Sequence, residues 1–587
     1  VEQAVRAAQS GDTIQLGPGV YHESVQVFGE ALTIVGAGAG RTILDGARVV
    51  SGFEQEFDGR FSADWSSDFD RAQPPYTSPD RPEGGWPEQF FLDGVQLTEV
   101  PSRDDVTSGT FYHSVSSGQV VLGDDPRGRL VEGSTLPWGL YLNQADGSSV
   151  SGLTVQRYAT PQRNMAAVRA YADDLTVSDV EVRDNARIGL SFIGDRIDVE
   201  RVSAVANGHL GIHGHQSNDV RVLDSIIHDN NREYFDAWHS AGGLKVTESE
   251  RLEIRGNDVR RNDGPGIWTD LDVIDAVIAD NVVVDSMRSG IEVELSWDVV
   301  VVDNIVARSG EQGVWVLESS RVDVFNNHLS ANERAVWVLD GPRADLRDVR
   351  IGNNVLAGPA RAGVLLAVDD WTEQRNAADM RVTLDGNRYW APGSTALVRW
   401  SNWPASLTYA SDLGALRSIG QEASGVVSNA ASNPFAIADV ENTPVPTRVE
   451  SQRSGTVVVA APTIESAPAG APTPRVPGRT IDDAGWTAPA VLGGAAAPTA
   501  ERRGEQRTPN RVATASLDDA QTSSAPSPAP VAPALAPSVA GPETRAEIDT
   551  AIDAVIDTVI EPELDTEQPT AGGWLGYADQ IFELLAG

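Results

Sequence analysis

The stretch "GIEVELSWDVVVVDNIVARSGEQGVWVL" (residues 290–317) contains two copies of one pattern. "GIEVE" begins at 290 and "GVWVL" begins at 313, which is 23 residues later. Similar segments begin at 189, 211, 243, 266 and 335, so the period stays close to 23 apart from one interval of 32. In the segments between them, asparagine recurs at 257, 281, 304 and 327. A fixed period of about 20–50 residues indicates a repeat architecture.

The length of the repeat determines which architecture it is. A period of 23 residues holds three short strands and their turns, whereas a propeller blade needs about 40 residues. We therefore predict an all-β fold, a parallel β-helix in which every coil adds one strand to each of several long parallel sheets. The recurring asparagines are predicted to stack as an amide ladder that satisfies backbone groups at one turn.

The remaining regions have different compositions. Residues 1–50 are predicted to form an N-terminal helical cap and the first coils, and residues 51–135 an insertion of loops and hairpins with a turn at Asp93 and Gly94. Residues 136–440 are predicted as the parallel β-helix. Residues 441–541 are rich in Ala, Pro and Ser and are predicted to be a disordered linker, and residues 542–587 to form acidic amphipathic helices.

Two sets of motifs resemble a known superfamily. "AVRAAQSGDTIQLGPGVY" (4–21) and "LTIVGAGAGRTILDG" (32–46), followed by the 23-residue coils, resemble the right-handed parallel β-helix superfamily of pectin-lyase-like proteins. The block 242–272 resembles bacterial secreted β-helix repeat proteins. The resemblance implies a right-handed solenoid and an extracellular or cell-surface location. It leaves the reaction open, because the superfamily includes lyases, hydrolases, epimerases and non-catalytic adhesins.

The composition restricts the partners. A formal net charge of -39 argues against nucleic acid, which binds to basic surfaces. The chain has no cysteine, so it forms neither disulfides nor thiolate metal sites. Because no run of 18 apolar residues occurs, we expect no membrane insertion. The chain opens inside a motif, as expected of a mature or trimmed form, and we expect a monomer.

Side-chain alternation predicts where the functional residues lie. Nearly all of the second and fourth residues of the repeats are apolar and are predicted to point inward, so the third and fifth point outward. Together these outward residues predict one exposed face that binds a polysaccharide; the alternative is an apolar seam covered by residues 51–135. The predicted substrate-binding residues are Trp268, Trp315, Trp337 and His215 on this face, with Tyr234 and His239 from the inserted segment "REYFDAWHSA" (232–241).

Lys245 is the only lysine in a chain that has 45 lysine and arginine residues in total. An ammonium group can lose its proton and act as a base, which arginine cannot do. We therefore predict a polysaccharide lyase that cleaves a uronic-acid polymer by β-elimination, with Lys245 as base and His213 as acid or substrate-steering group. The resemblance implies calcium as the cation if a metal is bound, and the predicted ligands are Asp270, Asp272, Glu292 and Glu294.

Other hypotheses stay open. Lys245 is alternatively only the ion-pair partner of Glu292 or Asp270. Asp270 and Glu294 lie on neighbouring coils and would suit a glycoside hydrolase. A C5-epimerase would use the lyase groups and reprotonate C5, and a non-catalytic polysaccharide-binding surface protein needs no reaction at all.

Overall fold

A computed structural model describes residues 1–67, 69–71, 77–161, 166–358 and 361–436. Over these residues the chain forms a parallel β-helix with a small β-rich insertion, and the predicted fold class is confirmed. The predicted linker (441–541) and the predicted C-terminal helices (542–587) lie outside the described residues.

Each coil contributes one strand to each of three sheets, which we call sheets 1, 2 and 3 in the order in which the chain passes through them after the insertion. Sheet 1 consists of Val25–Phe28, Leu140–Asn143, Ala166–Tyr171, Ile188–Ile193, Leu210–His215, Gly242–Thr247, Ile267–Asp270, Ile291–Glu294, Gln312–Leu317, Arg334–Asp340, Val364–Asp370, Ala396–Ser401 and the antiparallel Leu407–Ala410. Sheet 2 consists of Thr13–Gln15, Thr33–Val35, Ser149–Ser151, Thr176–Ser178, Asp198–Glu200, Asn218–Leu223, Glu250–Arg255, Val273–Ala279, Ser296–Val302, Asp323–Phe325, Arg350–Gly352 and Thr383–Asp385. Sheet 3 consists of Gly19–Tyr21, Thr42–Asp45, Thr154–Gln156, Glu181–Arg183, Ser203–Val205, Ile226–His228, Asp258–Arg260, Val282–Val284, Ile305–Ala307, His328–Ser330, Val355–Ala357, Arg388–Trp390 and Val426–Val427.

The inward residues stack in columns, as the sequence predicted. Ile267 pairs with Ile291 and Ile291 pairs with Val314 across successive strands of sheet 1. These residues belong to one continuous apolar core that runs through the coils. The inward side chains leave no freedom of register, because a slip by one residue would turn the apolar set outward.

The predicted asparagine ladder is present and is longer than the sequence indicated. The Nδ2 of each asparagine donates to the Oδ1 of the asparagine in the next coil at 2.9–3.0 Å. The ladder runs through Asn257, Asn281, Asn304, Asn327, Asn354 and Asn387 and ends on the Oε1 of Glu422 at 2.6 Å. A second ladder joins Asn185, Asn207, Asn230 and Asn262. Both ladders provide hydrogen-bond partners for the polar groups that are buried at the turns.

The insertion is a folded unit with its own core. Ala47–Val49, Phe90–Leu92, Val95–Gln96 and Val131–Ser134 form a four-stranded sheet, and Glu54–Gln55, Phe61–Asp64, Thr98–Glu99, Thr110–Ser114 and Gln119–Leu122 form a five-stranded sheet. Two 3-10 turns lie at Pro82–Gly85 and Arg103–Asp105. Asp93 and Gly94 both have positive φ and connect two antiparallel strands. Trp65, Phe90 and Phe111 pack at the centre.

Short helices lie near both ends of the described coils. Glu2–Ala7 places Val5 in the apolar core near the first coil, and Leu413–Ser418 places Leu416 in the core after the last long strand of sheet 1. No helix among the described residues is long and apolar enough to cross a membrane.

Arginines connect successive coils on the outside. In each of these pairs one arginine donates two hydrogen bonds of 2.6–2.9 Å to both oxygens of an aspartate in the preceding coil. The pairs are Arg196–Asp174, Arg201–Asp179, Arg221–Asp198, Arg251–Asp219, Arg261–Asp229, Arg308–Asp285 and Arg321–Asp298. The planar guanidinium suits this two-point contact, and a lysine ammonium does not reproduce it.

Candidate functional site

The outward residues of sheet 1 stack in the predicted register. The order along the sheet is Ser191, His213, Lys245, Trp268, Glu292, Trp315 and Trp337. In the second outward column, His215 pairs with Thr247, Thr247 with Asp270, and Glu294 with Leu317. The sequence therefore placed the members of the site on neighbouring strands correctly.

The prediction that this face is exposed is wrong. Ser191, His213, Lys245, Trp268, Glu292 and Trp315 are all buried, and Trp337 is half-buried. The reason is that loops cover the outward face: Ala237 and His239 of the inserted segment contact it through their backbone carbonyls, and Arg343 reaches it from the turn after Arg334–Asp340. The alternative cover, residues 51–135, instead contacts the start of the inserted segment, where Thr77 bridges to Phe235.

Lys245 has three partners. Its Nζ lies 2.9 Å from Asp270 Oδ2, donates to the carbonyl of His239 at 3.0 Å, and sits 3.3 Å from the ring centroid of Trp268. A carboxylate, a carbonyl and an aromatic face are all groups that attract a cation. The geometry is therefore that of an ion pair with Asp270, which was the alternative to a base.

Asp270 and Glu294 lie on adjacent strands but in different surroundings. Asp270 accepts from Lys245 and, through Oδ1, from the backbone N–H of Leu271 at 2.8 Å. Glu294 accepts from Trp268 Nε1 at 3.1 Å and from Arg343 Nη2 at 2.6 Å. Burial raises the pKa of Glu294, and the nearby charge of Asp270 raises it further, although Arg343 acts in the opposite direction. The two neighbouring carboxyl groups thus have different partners, and burial raises the pKa of Glu294.

Glu292 is the most enclosed acid of the group. It is 1% exposed, and its Oε2 has no hydrogen-bond partner in the described structure. Burial raises the pKa of Glu292 to about 8, and the acids around it act in the same direction while Arg288 opposes them. Glu292 is therefore protonated at neutral pH.

His213 is held neutral. Burial, with smaller contributions from the neighbouring His215 and Lys245, lowers the pKa of His213 to about 3. Its Nδ1 lies 3.3 Å from Ser191 Oγ, and its ring is parallel to that of His215 at 6.3 Å. His215 Nδ1 contacts Thr247 Oγ1 at 2.9 Å. An imidazole with so low a pKa is an unprotonated hydrogen-bonding group at neutral pH and a weak base.

The tryptophans do not form the predicted open sugar platform. Trp268 is covered by Lys245 on one face, and its Nε1 is bonded to Glu294. Trp315 and Trp337 stack on each other with ring centroids 5.2 Å apart and an angle of 6° between the planes. The exposed ring is that of Trp238, which is 62% exposed and meets Trp315 edge-on at 6.4 Å.

The two predicted substrate-binding residues of the inserted segment, His239 and Tyr234, lie in different places. His239 lies over Lys245 by its backbone carbonyl, while its Nδ1 is 2.8 Å from Asp236 Oδ2. Tyr234 instead faces Arg81 of the insertion, whose guanidinium lies 4.3 Å from the ring centroid. Tyr234 helps to line a polar cavity of about 260 Å³ at the seam between the insertion and the coils, together with Gln96 and Glu233. Tyr234 is therefore not shown to be part of the Lys245 site.

The predicted calcium ligands do not converge. Asp270 is bound to Lys245, Glu294 to Arg343, and Asp272 lies exposed in the turn that follows. Within the described ranges, no group of three or more His, Asp or Glu side chains is arranged to hold a metal ion. The acids present do not fit a calcium site, and calcium has no part in the chemistry proposed below.

Sequence reasoning missed several residues of the site. Trp238 is the only tryptophan of the inserted segment, and that is the signal by which the sequence could have identified it. Arg288 and Arg343 come from turns rather than strands, and Arg343 lies 49 residues after the Glu294 that it contacts. Periodicity carries no signal for turn residues, so these two were not predictable from it.

The described architecture defines the chain as a right-handed parallel β-helix protein with a buried site on sheet 1. Residues 166–356 match the family model described as the right handed beta helix region. Comparison with curated protein sequences finds no match.

Several solved structures are similar in fold. One is XylC in complex with xylose, with a TM-score of 0.53 and 14% identity over 68% of this chain and 82% of that one. Another is the A-module of the mannuronan C-5 epimerase AlgE6 of Azotobacter vinelandii, with a TM-score of 0.39 and 14% identity over 73% of this chain and 92% of that one. A third, a glycoside hydrolase, has a TM-score of 0.39 and 11% identity over 63% of this chain and 92% of that one. The likeness to XylC concerns the fold alone, and no conclusion is drawn from the two structures with TM-scores of 0.39.

Proposed function

We propose that this protein is a polysaccharide-active enzyme and that its chemistry is glycosidic bond hydrolysis by Asp270 and Glu294. The observation that carries the proposal is the contrast between these two acids: Asp270 is paired with Lys245, whereas burial and a neighbouring charge raise the pKa of Glu294. An acid whose pKa is raised by burial, next to a second carboxyl group, is the usual arrangement of proton donor and nucleophile in a retaining glycosidase.

The roles follow from these surroundings. Glu294 gives its proton to the oxygen of the leaving sugar, and Arg343 stabilises the carboxylate that this transfer leaves behind. Asp270 carries the negative charge and attacks the anomeric carbon, so that the bond to the leaving oxygen breaks as the ester bond to Asp270 forms. Glu294 then takes a proton from water as the water oxygen bonds to the anomeric carbon and the ester bond to Asp270 breaks, which restores both acids.

The spacing supports a stereochemical outcome. Strands of one sheet lie about 4.8 Å apart, and the two acids are on adjacent strands with the same outward orientation. Retaining glycosidases hold their carboxyl groups about 5 Å apart. We therefore propose hydrolysis with retention.

Lys245 has an electrostatic role in this proposal. Its ammonium pairs with Asp270 and positions it, and its contact with the carbonyl of His239 holds the inserted segment in place. In the structure the Lys245 Nζ is engaged by Asp270 and by that carbonyl and does not point freely toward a substrate proton, as the base role suggested by the sequence would require.

Elimination on a uronic-acid polymer is the second candidate. In it His213 is the base and Lys245 the cation, the reverse of the roles that the sequence suggested. One observation favours it: His213, a neutral imidazole, pairs in register with Lys245. His213 would take the C5 proton and Lys245 would neutralise the substrate carboxylate, so that C4 loses its oxygen substituent. Epimerisation would use the same groups, and a binding protein would use neither.

Incubation with a panel of polysaccharides separates these reactions. The panel comprises neutral xylans, mannans and glucans and the uronate polymers, with xylans included because XylC was determined with xylose. Hydrolysis gives reducing ends without an unsaturated uronate, whereas elimination gives both. We expect reducing ends alone, and unsaturated product would contradict the proposal.

Two variants test the assignment on whichever polymer is cleaved. Asp270→Asn and Glu294→Gln each keep the size of the side chain, and each is expected to lower kcat by roughly 10²- to 10⁴-fold. Asp298→Asn is the matched control, because Asp298 is paired with Arg321 on the outside of the coils. The control should keep wild-type turnover.

A further inference from the structure

The segment Asp236–Ser240 is held over the site by two cations. Lys245 Nζ donates to the carbonyl of His239 at 3.0 Å, and Arg288 Nη1 donates to the carbonyl of Ala237 at 2.8 Å. Each cation also meets an acid, since Lys245 pairs with Asp270 and Arg288 Nε lies 3.2 Å from Glu311. Both backbone contacts of this segment are therefore made by cations of the site, and Trp238 adds a ring contact to Arg288.

The two ends of the segment differ from its middle. Before it, Phe235 is buried and packs against His209 with ring centroids 4.3 Å apart. After it, Gly242 has a φ of 132°, a conformation that side chains rarely adopt. Between these points, Trp238 and His239 are exposed. A buried anchor at one end and a glycine at the other suit a segment that swings as a unit.

A set of unpaired polar atoms lies beneath Trp238. The ring of Trp238 lies 3.5 Å from the guanidinium of Arg288, which in turn reaches Glu311 and the Trp315 ring. Glu292 pairs in register with Trp315 on the neighbouring strand. Four atoms here are buried and have no hydrogen-bond partner in the described structure: Glu292 Oε2, Glu311 Oε2, Arg288 Nη2 and Trp315 Nε1.

The donor and acceptor character of these four atoms indicates which kind of molecule would bind there. Arg288 Nη2 and Trp315 Nε1 only donate, whereas Glu311 Oε2 accepts and the carboxyl of Glu292 presents a further polar oxygen. Buried polar groups in native proteins have partners, so four without one at a single place indicate a missing molecule. A hydroxyl group both donates and accepts, which neither an anion nor a cation does. Sugar hydroxyls and water share this property.

We propose that Asp236–Ser240 is a lid that opens to admit a sugar residue, and that Glu292, Glu311, Arg288 and Trp315 form a subsite for its hydroxyl groups, with Trp238 stacking on the ring. The inference rests on the proposed function. Asp270 is 5% and Glu294 8% exposed, so a polymer reaches them only after a cover moves. The lid contacts Lys245, the partner of Asp270, and therefore lies over the cation that holds that acid.

Binding without turnover tests the subsite. We would titrate the Glu294→Gln protein with hexaoses of xylose, mannose, glucose, galacturonate and mannuronate and follow tryptophan fluorescence. Adding Trp238→Ala should weaken binding of the recognised hexaose by about tenfold. Trp371→Ala is the matched control, because Trp371 is also half-exposed and directly follows a strand of sheet 1. It should leave the affinity unchanged.

Hydrogen exchange tests the lid without any ligand. Arg288→Gln removes the donor to Ala237, so the amides of 237–240 should exchange about tenfold faster, while those of Ile267–Asp270 keep their rate. Unchanged exchange of the lid amides would overturn the lid.

The remaining outcomes are also decisive. If water alone fills the subsite, neither Trp238→Ala nor Glu292→Ala alters sugar affinity, and the sugar subsite is overturned. Failure of any hexaose to bind overturns it as well. If a hexaose binds in this way but the wild-type protein does not cleave it, the hydrolase proposal fails and the lid and subsite stand.

Discussion

The outer turns and the sheet 1 site of this molecule use cations in opposite ways. On the turns, arginines such as Arg251 bridge to the preceding coil and take both oxygens of an aspartate, here Asp219, at 2.7 and 2.9 Å, in the presence of solvent. In sheet 1, the only lysine of the chain is buried against Asp270 through a single oxygen.

The difference shows what position 245 requires. The Lys245 ammonium is compact, and its hydrogens point in three directions: toward Asp270, the carbonyl of His239 and the face of Trp268. An arginine there would seek both oxygens of Asp270, yet Oδ1 already accepts from the N–H of Leu271. Arginine suits a flat two-point contact between coils, and lysine suits the point where a strand, a neighbouring strand and a loop meet.

The largest expected effect is on stability at the buried pair. Lys245→Met leaves Asp270 buried without its cation, and we expect the free energy of unfolding to fall by about 3–5 kcal/mol. Chemical denaturation at neutral pH measures it. The double variant Lys245→Met/Asp270→Asn should recover much of the loss, because no uncompensated charge remains. A loss below about 1 kcal/mol in the single variant would place this pair in the same class as the outer ones.

The second effect depends on pH. The pKa of Glu292 is about 8 in the folded protein, against 4.5 without the protein environment. Between these values the native state holds a proton that the unfolded state has lost, so the free energy of unfolding decreases as pH rises, by up to about 1.4 kcal/mol per pH unit. Glu292→Gln abolishes this contribution.

Denaturation curves of both proteins at several pH values between about 5 and 8 measure the difference. All other titrating groups are shared, so the stability of Glu292→Gln relative to wild type should increase with pH. Parallel pH profiles would show that Glu292 is not held protonated by burial.

The smallest expected effect is on the outer turns. Arg251→Met removes one half-exposed pair with Asp219, and we expect a loss of about 0–1 kcal/mol. The loss should shrink further in high salt, because exposed charges are screened. A salt-insensitive loss of several kcal/mol would mean that the outer pairs act as buried ones do, and the comparison between the two classes of cation would fail.

The fold was predictable because it repeats. The 23-residue period and the inward alternation determined the sheet and the register, which is why Ile267, Ile291 and Val314 stack as expected. The same register brought Lys245, Trp268 and Glu292 into one column. These are properties of regular strands, where position in the sequence determines position in space.

The predictions that failed concern side chains whose surroundings are determined by turns and loops. Alternation says that Trp268 points away from the core, but it does not say whether another segment covers it, and here Lys245 and the 236–240 segment do. The Arg343 contact with Glu294 comes from a turn whose path no period describes. Outward direction and exposure to solvent are separate properties, and only the first follows from the pattern.

The relative turnover of Glu294→Gln and Lys245→Arg, on the polysaccharide that the wild-type protein cleaves, tests the account most directly. The account makes Glu294 the proton donor and Lys245 a cation, so it predicts a loss of roughly 10²- to 10⁴-fold for Glu294→Gln and a clearly smaller loss for Lys245→Arg, which keeps the charge. The reverse order, with an unsaturated uronate among the wild-type products, would contradict it and make Lys245 the base of an elimination.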